Sequence, residues 1–204
     1  MRSRSHLLIL MCLLALLCCA GVWGWMSSGK QATPDVRIDR FDRVLDEYVS
    51  LGSYSALHRM NMQYPAETKL LIEDVLKLGH VHDPDVELRL RRYYLDSTVQ
   101  VLLDEVHRQY ADLSDLEDSF AKAFRALRKE RPGLRMPHIY SQVSCLNQSI
   151  VVGDTLIGIS LDKYLGADFP IYEEYYTEEQ RAQMTREAIV TDAINAYLQY
   201  HRTP

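Results

Sequence analysis

Ser160 is the first residue whose neighbours resemble a catalytic motif. Residues 158–162 read Gly-Ile-Ser-Leu-Asp at the end of a β-rich run. The nucleophile elbow G-x-S-x-G requires its second glycine because a sharp turn must expose the serine between a strand and a helix. Since Asp162 stands at that position, the sequence predicts that Ser160 is a strand residue and not a nucleophile.

The histidines and Cys145 offer further candidate chemistry. His80 and His82 could coordinate a metal ion together with Asp83. However, two neighbouring histidines in a loop are more often solvated residues than metal ligands, so we favour the solvated interpretation. His138 follows a proline at a predicted strand, where a hydrogen-bonded structural role is expected. Cys145 has no adjacent base to activate it and is interpreted as a buried free thiol. We therefore predict no catalytic residue, no metal and no cofactor.

Three tyrosines beside acidic residues suggest binding rather than catalysis. Tyr172, Tyr175 and Tyr176 occur within five positions, interleaved with Glu173 and Glu174. Tyrosine supplies contact area at low entropic cost and is enriched at protein interfaces. Two interpretations stay open: the three tyrosines form a partner surface, or, as is the default for such a segment, they belong to a loop packed on the domain, which is the interpretation we favour.

An α+β fold is expected to position these residues. Hydrophobic spacing predicts helices over residues 37–64 with a break at 51–52, over 67–78, over 84–110 with a break near 96–97, over 112–131 and over 178–199. Short β-forming runs between residues 139 and 159 predict a small sheet of about three strands. It includes a hairpin near 148–160, in which Gly153 and Asp154 suit a type II′ turn. The domain is therefore predicted to be mainly helical.

The N-terminus, residues 1–26, is predicted to be a signal peptide or membrane anchor. Arg2 and Arg4 precede residues 7–26, which carry no charge and are long enough to cross a bilayer. Three alternatives stay open: a membrane-spanning anchor, cleavage after Ala20, or lipid attachment at Cys19. Each places the rest of the chain outside the cytoplasm, in the periplasm, as a domain at 35–204 behind a linker at 27–34.

Charge and cysteine usage narrow the classes of partner. The 204-residue chain has a net charge of −5. Residues 1–20 hold two arginines and no acid, so without them 21 basic residues face 28 acidic ones, for a net charge of −7. An acidic body is repelled by nucleic acid, which we exclude as a partner. Because only Cys145 lies outside the N-terminal segment, the domain cannot contain an internal disulfide.

Three segments resemble the gliding motility lipoprotein GldB family. They are Ile-Asp-Arg-Phe at 38–41, Met-Pro-His-Ile-Tyr at 136–140 and Ile-Ser-Leu-Asp-Lys-Tyr-Leu-Gly at 159–166, of which the last is the most specific. The resemblance spans about 36–200 and implies a truncated, divergent member with a lipoprotein signal. The resemblance also implies a distant similarity to zinc metallopeptidases, although members of the family generally lack the metal-binding motif. This makes residues 185–200 the expected relic of a zinc-binding helix.

The last of these segments supplies a motif that we expect to be structural or to contact a partner. Its residues are Leu161, Asp162, Tyr164, Leu165 and Gly166. We expect the two leucines to bury against the sheet, and Asp162 to cap or hydrogen-bond a short helical turn that Gly166 ends.

The resemblance implies a cell-envelope protein related to gliding motility and the associated protein secretion. We predict that it is not an enzyme and acts through contacts with other envelope proteins, with its N-terminal segment in the membrane. A divergent metallopeptidase-like hydrolase using His80, His82 or His138 is one alternative. The other is a ligand-binding envelope module with a deep apolar pocket.

Overall fold

The computed structural model describes residues 36–202 and confirms the α+β class, with a small sheet beside many helices. The sheet has four strands where about three were predicted. The helices are α1 Phe41–Leu51, α2 Tyr54–Met62, α3 Pro65–Lys69, α4 Val86–Tyr94, α5 Ser97–Gln109, α6 Ser114–Glu130, α7 Tyr172–Tyr175, α8 Glu178–Arg181 and α9 Ala188–Tyr200. A π-helical segment, Leu70–Val75, continues α3.

The sheet combines parallel and antiparallel pairs. Its strands are β1 Ile38–Asp39, β2 His138–Gln142, β3 Ile150–Val152 and β4 Leu156–Ser160, in the spatial order β1-β2-β4-β3. β2 runs parallel to both β1 and β4, and β3 is antiparallel to β4. The predicted hairpin is therefore confirmed as β3–β4.

Strand β1 is the one that the sequence did not reveal. Ile38 was predicted to begin a helix, but it pairs with Ile139, and its N–H donates to Glu117 Oε1 on α6 at 2.9 Å. A strand of two residues is too short to show the alternation of apolar and polar residues that marks a strand. Because Ile38 also keeps helical spacing with Phe41, the sequence pattern was compatible with a helix as well as with a strand. The carboxylate of Glu117 satisfies a backbone donor on the outer side of this edge strand.

The hairpin turn differs from the predicted type II′ turn. The N–H of Gly153 donates to the carbonyl of Leu156 at 2.9 Å, which centres the turn on Asp154 and Thr155. None of these residues has the positive φ that types I′ and II′ require. Gly153 therefore closes the turn instead of occupying its first central position.

Capping explains two helix boundaries. Asp96 accepts a hydrogen bond from the N–H of Thr98 at 2.9 Å, which starts α5 and confirms the predicted break. Thr177 forms a capping box with Gln180 and starts the short α8. The predicted helix 178–199 is instead two helices, since α8 ends at Arg181 and α9 begins at Ala188.

Helices α1 and α9 position the sheet. α1 packs against β2, and α9 packs against β3, β4 and α6. Large aromatic rings fill the core, including Phe41 at 6.1 Å from Tyr140 and Phe124 at 6.3 Å from Tyr197, measured between centroids. Within residues 36–202 no helix is long and apolar enough to cross a bilayer. The predicted anchor, Cys19 and the linker lie outside the described residues.

Candidate functional site

The motif at residues 161–166 is held inside the protein. Leu161 and Leu165 are buried, as expected, and residues Leu161–Lys163 form one turn of 3-10 helix after β4. The hydroxyl of Tyr172 donates to the carbonyl of Asp162 at 2.6 Å and accepts from the N–H of Leu165 at 2.9 Å. A second buried tyrosine, Tyr110, donates to the carbonyl of Tyr164. The backbone of the motif is thus fixed by two phenols.

Asp162 fastens a neighbouring loop. Its fully buried carboxylate accepts hydrogen bonds from the N–H of Ser144 at 2.7 Å and the N–H of Leu146 at 2.6 Å. The single hydroxyl proton of Ser144 has two acceptors in reach, the carbonyl of Gln148 at 3.0 Å and the carboxylate of Asp162 at 3.3 Å. Burial raises the pKa of Asp162, and the two N–H donors oppose that rise. Asp162 is not the cap of its turn, since Ser160 is the N-cap residue. Its carboxylate does accept a hydrogen bond from its own backbone N–H within the turn, which was the other expectation, but its other partners lie in the loop at 144–148.

This loop has a strained backbone. Cys145 and Leu146 have φ values of 54° and 65°, in the left-handed region that residues other than glycine seldom occupy. This conformation turns two N–H groups of the loop, those of Ser144 and Leu146, toward the carboxyl group of Asp162. Strain of this kind persists only where surrounding contacts impose it. The hydrogen bonds to Asp162 are therefore among the contacts that hold the loop in this shape.

A lysine and a tyrosine hold the same loop from its carbonyl side. The hydroxyl of Tyr176 donates to the carbonyl of Leu146 at 3.0 Å. Lys163 Nζ donates to that hydroxyl at 2.7 Å and lies 4.3 Å from the centroid of the Tyr176 ring. Tyr176 is consequently fixed in position while part of it stays exposed.

An open cleft of about 660 Å³ lies beside Tyr176. We call it the tyrosine cleft; it is lined by Tyr93, Val99, Leu102, Leu146, Tyr175 and Tyr176, together with polar residues of α4, α5 and the loop. The side chain of Tyr175 is 57% exposed, whereas Tyr172 is fully buried. Packing on the domain, the favoured interpretation, thus holds for Tyr172, which supports the motif from within. Tyr172 cannot belong to a partner surface, and only Tyr175 and Tyr176 of the three tyrosines are available to one.

Ser160 lies in a buried strand, as the sequence predicted. It is the last residue of β4, and its hydroxyl accepts a hydrogen bond from Gln142 Nε2 at 3.1 Å. Within residues 36–202 this hydroxyl has no hydrogen bond to an imidazole. It therefore lacks both the exposure and the base that a nucleophile needs.

The other candidate groups are dispersed. The side chain of His80 is 80% exposed, and its Nδ1 lies 3.7 Å from Glu73 Oε1. His82 is also exposed and lines a different cavity, of about 240 Å³, between α2, the π-helical segment and α4. Burial raises the pKa of the Cys145 thiol, which keeps it protonated. No three His, Cys, Asp or Glu side chains of the described part of the chain are grouped so as to hold a metal.

His138 connects two strands to a helix. Its Nε2 lies 3.3 Å from Glu67 Oε1 on α3 and 3.6 Å from Asp39 Oδ2 on β1. The hydrogen bond to Glu67 is the main cause that raises the pKa of His138, and partial burial opposes it. The sequence indicated a structural histidine but not its partners, which lie 71 and 99 positions away in the chain.

We expect the stability that His138 contributes to fall as the pH rises. A histidine whose pKa is raised in the folded state stabilises fully below its unfolded pKa of about 6.5, and this contribution is lost as the pH passes the higher folded pKa. Urea denaturation at several pH values should show the wild type losing stability relative to His138→Gln between pH 6 and pH 9. A constant difference over that range would contradict the ion pair.

A model of the gliding motility protein GldB family matches residues 25–204. The chain belongs to the GldB family. GldB membership implies a cell-envelope lipoprotein related to gliding motility, in a family that is not known for enzymatic activity. Searches of curated proteins and of solved structures gave no match.

Proposed function

We propose that this GldB protein is a non-catalytic member of the gliding motility and associated secretion machinery, which acts by contacting other envelope proteins. The tyrosine cleft is the observation that supports it. Exposed Tyr175 and the fixed ring of Tyr176 border a concave surface that the motif at 161–166 holds in shape. Fixed aromatic side chains around a pocket are typical of the residues that dominate protein interfaces.

The chemistry of the cleft supports binding over catalysis. Its thiol, Cys145, has a raised pKa and stays protonated at neutral pH. Burial likewise raises the pKa of Tyr93, whose hydroxyl accepts a hydrogen bond from Asn147 at 3.2 Å. Protonated thiols and phenols are weak nucleophiles and weak bases. A surface that binds without reacting fits these groups best.

The same proposal includes an anchor at the membrane. Lipid attachment at Cys19 or a membrane-spanning segment within residues 7–26 would hold the domain on the periplasmic side. From there, the tyrosine cleft would meet other envelope proteins and not nucleic acid. The acidic net charge of the chain agrees with this choice of partner.

Crosslinking in cells tests the proposal. We expect a photoreactive phenylalanine analogue at position 175, in the full-length protein of its native bacterium, to give a defined crosslink to another envelope protein. The same analogue at Tyr54 or Tyr200, which are also exposed, should give none at that mass. Cells with Tyr175→Ala should glide more slowly at unchanged protein level. Absence of any crosslink specific to position 175 would overturn the proposed function.

A further inference from the structure

Most polar groups that line the tyrosine cleft are already engaged within the fold. Asp96 accepts from the N–H groups of Thr98 and Val99 as the cap of α5. Asn147 donates to the carbonyl of Ser144 at 2.8 Å and also to the hydroxyl of Tyr93. A ligand rich in hydroxyl groups, such as a glycan, would have to compete with these bonds. The cleft therefore favours a partner that needs few polar contacts.

Two charged residues line the cleft, Arg92 and Asp96, and neither is in an ion pair of residues 36–202. The carboxylate of Asp96 is engaged by backbone N–H groups as the cap of α5, which leaves Arg92 as the charged side chain available to a partner. Arg92 is also exposed. Arg89, one turn earlier on α4, is paired with both Asp83 and Asp85. A free guanidinium offers a planar fork of donors that matches a carboxylate. Charge complementarity at this position thus calls for an acidic group on the partner.

The deeper lining of the cleft is aliphatic and aromatic. Val99 and Leu102 are 8% and 1% exposed, and Leu146 projects from the strained loop beside them. A volume of about 660 Å³ falls within the roughly 300–1,000 Å³ of sites that bury organic ligands. With Tyr93 and Tyr175 at its sides, this space suits one or two apolar side chains.

We propose that the tyrosine cleft binds a short segment of a partner protein in which an apolar residue lies within three positions of a carboxylate. The apolar side chain packs against Val99, Leu102 and Leu146, and the carboxylate pairs with Arg92. This inference rests on the proposed function, since it assigns a chemistry to the contact that the cleft makes. A carboxylate at the chain's C-terminus would satisfy the same geometry as Asp or Glu.

Peptide selection on the full-length protein tests this chemistry. Random displayed heptapeptides would be selected on the wild type and counter-selected on Arg92→Glu, and the winners synthesised for fluorescence anisotropy. We expect the winners to combine an apolar residue with Asp or Glu within three positions. Arg92→Glu should weaken their binding at least tenfold, and Arg92→Gln about threefold to fivefold. Replacing the peptide's acid with Lys should restore binding to Arg92→Glu.

Matched variants separate this contact from general charge effects. Arg128 on α6 is also exposed and outside the ion pairs of the described residues, so Arg128→Glu should leave binding within twofold. Tyr175→Ala should weaken binding about tenfold, and Tyr54→Ala should not. Three results would overturn the inference: no enriched peptide, winners without an acid, or equal losses from Arg92→Glu and Arg128→Glu. Preferential binding of a glycan panel over peptides would overturn it too.

The cellular crosslink distinguishes failure here from failure of the proposed function. If the crosslink at position 175 persists unchanged in Arg92→Glu cells, the protein contact stands and the acidic, apolar partner segment is wrong. If position 175 gives no crosslink in the wild type, the proposed function itself fails. A crosslink that is lost in Arg92→Glu and kept in Arg128→Glu supports both.

Discussion

Asp162→Ala should lower the free energy of unfolding by about 3–5 kcal/mol. The substitution leaves the N–H groups of Ser144 and Leu146 buried without their acceptor, at positions where each now donates within 2.7 Å. It also opens a cavity and removes the anion that the loop at 144–148 surrounds. Urea denaturation followed by circular dichroism, on full-length protein, measures the change.

Two further variants separate the causes of that loss. Asp162→Asn keeps the shape and removes the charge, but its amide nitrogen would face one of the N–H donors. We expect a loss of about 1–3 kcal/mol, which is the effect of one unsatisfied buried donor. Asp154→Ala is the control, because Asp154 is 61% exposed and pairs only with Arg135 at the surface. A loss from Asp162→Ala no larger than that of Asp154→Ala would contradict the described contacts.

The same substitution connects the motif to the proposed function. Without Asp162, the loop loses the acceptors of the N–H groups of Ser144 and Leu146 and keeps contacts to its carbonyl groups, such as the bond from Tyr176 to Leu146. We expect the left-handed backbone of Cys145 and Leu146 to relax as a result. Leu146 lines the tyrosine cleft, and its carbonyl holds Tyr176. The motif residues therefore act on a partner indirectly, by fixing the wall of the cleft against which the partner packs.

Local patterns were sufficient for most of the helices and for the pairing of the hairpin strands, but not for the type of its turn or for the separation of α8 from α9. Amphipathic spacing is a property of consecutive residues, so the break at Asp96 and the long helix α6 could be predicted from the sequence. β1 could not, because two residues carry no alternation and its pairing with β2 joins positions 101 apart. The fold class was thus accessible, while the number of strands was not.

The candidate site was harder to predict because its contacts are distant in sequence. Tyr172 and Tyr175 look alike in the sequence, yet one is buried under the motif and the other is exposed. Asp162 reaches a loop whose left-handed residues are Cys and Leu, and no glycine marks that conformation. Arg92 stands out only when the ion pairs of its neighbours are known. Side-chain contacts across the fold, and not residue types, identify this cleft.

Gly158→Ala is the second substitution with a large expected effect, because Tyr140 occupies the space that a side chain would need. The two residues are partners across β2 and β4. A β-carbon at position 158 would lie 2.5 Å from both Cζ and Oη of the Tyr140 ring. That ring is fully buried, edge-on to Phe41 and stacked on His138, so it cannot swing aside. We expect a loss of about 2–3 kcal/mol, measured by urea denaturation.

A double-mutant cycle decides whether the ring is the cause. In a Tyr140→Leu background the space above position 158 is free, so Gly158→Ala should cost less than about 0.5 kcal/mol and give a coupling of roughly 1.5–2.5 kcal/mol. Tyr140→Phe should relieve little, since Cζ remains in place. It should itself be near neutral, because the buried hydroxyl of Tyr140 has no partner among the described residues. Additive losses in the cycle would show that Gly158 is required for its backbone and not for the room it leaves to Tyr140.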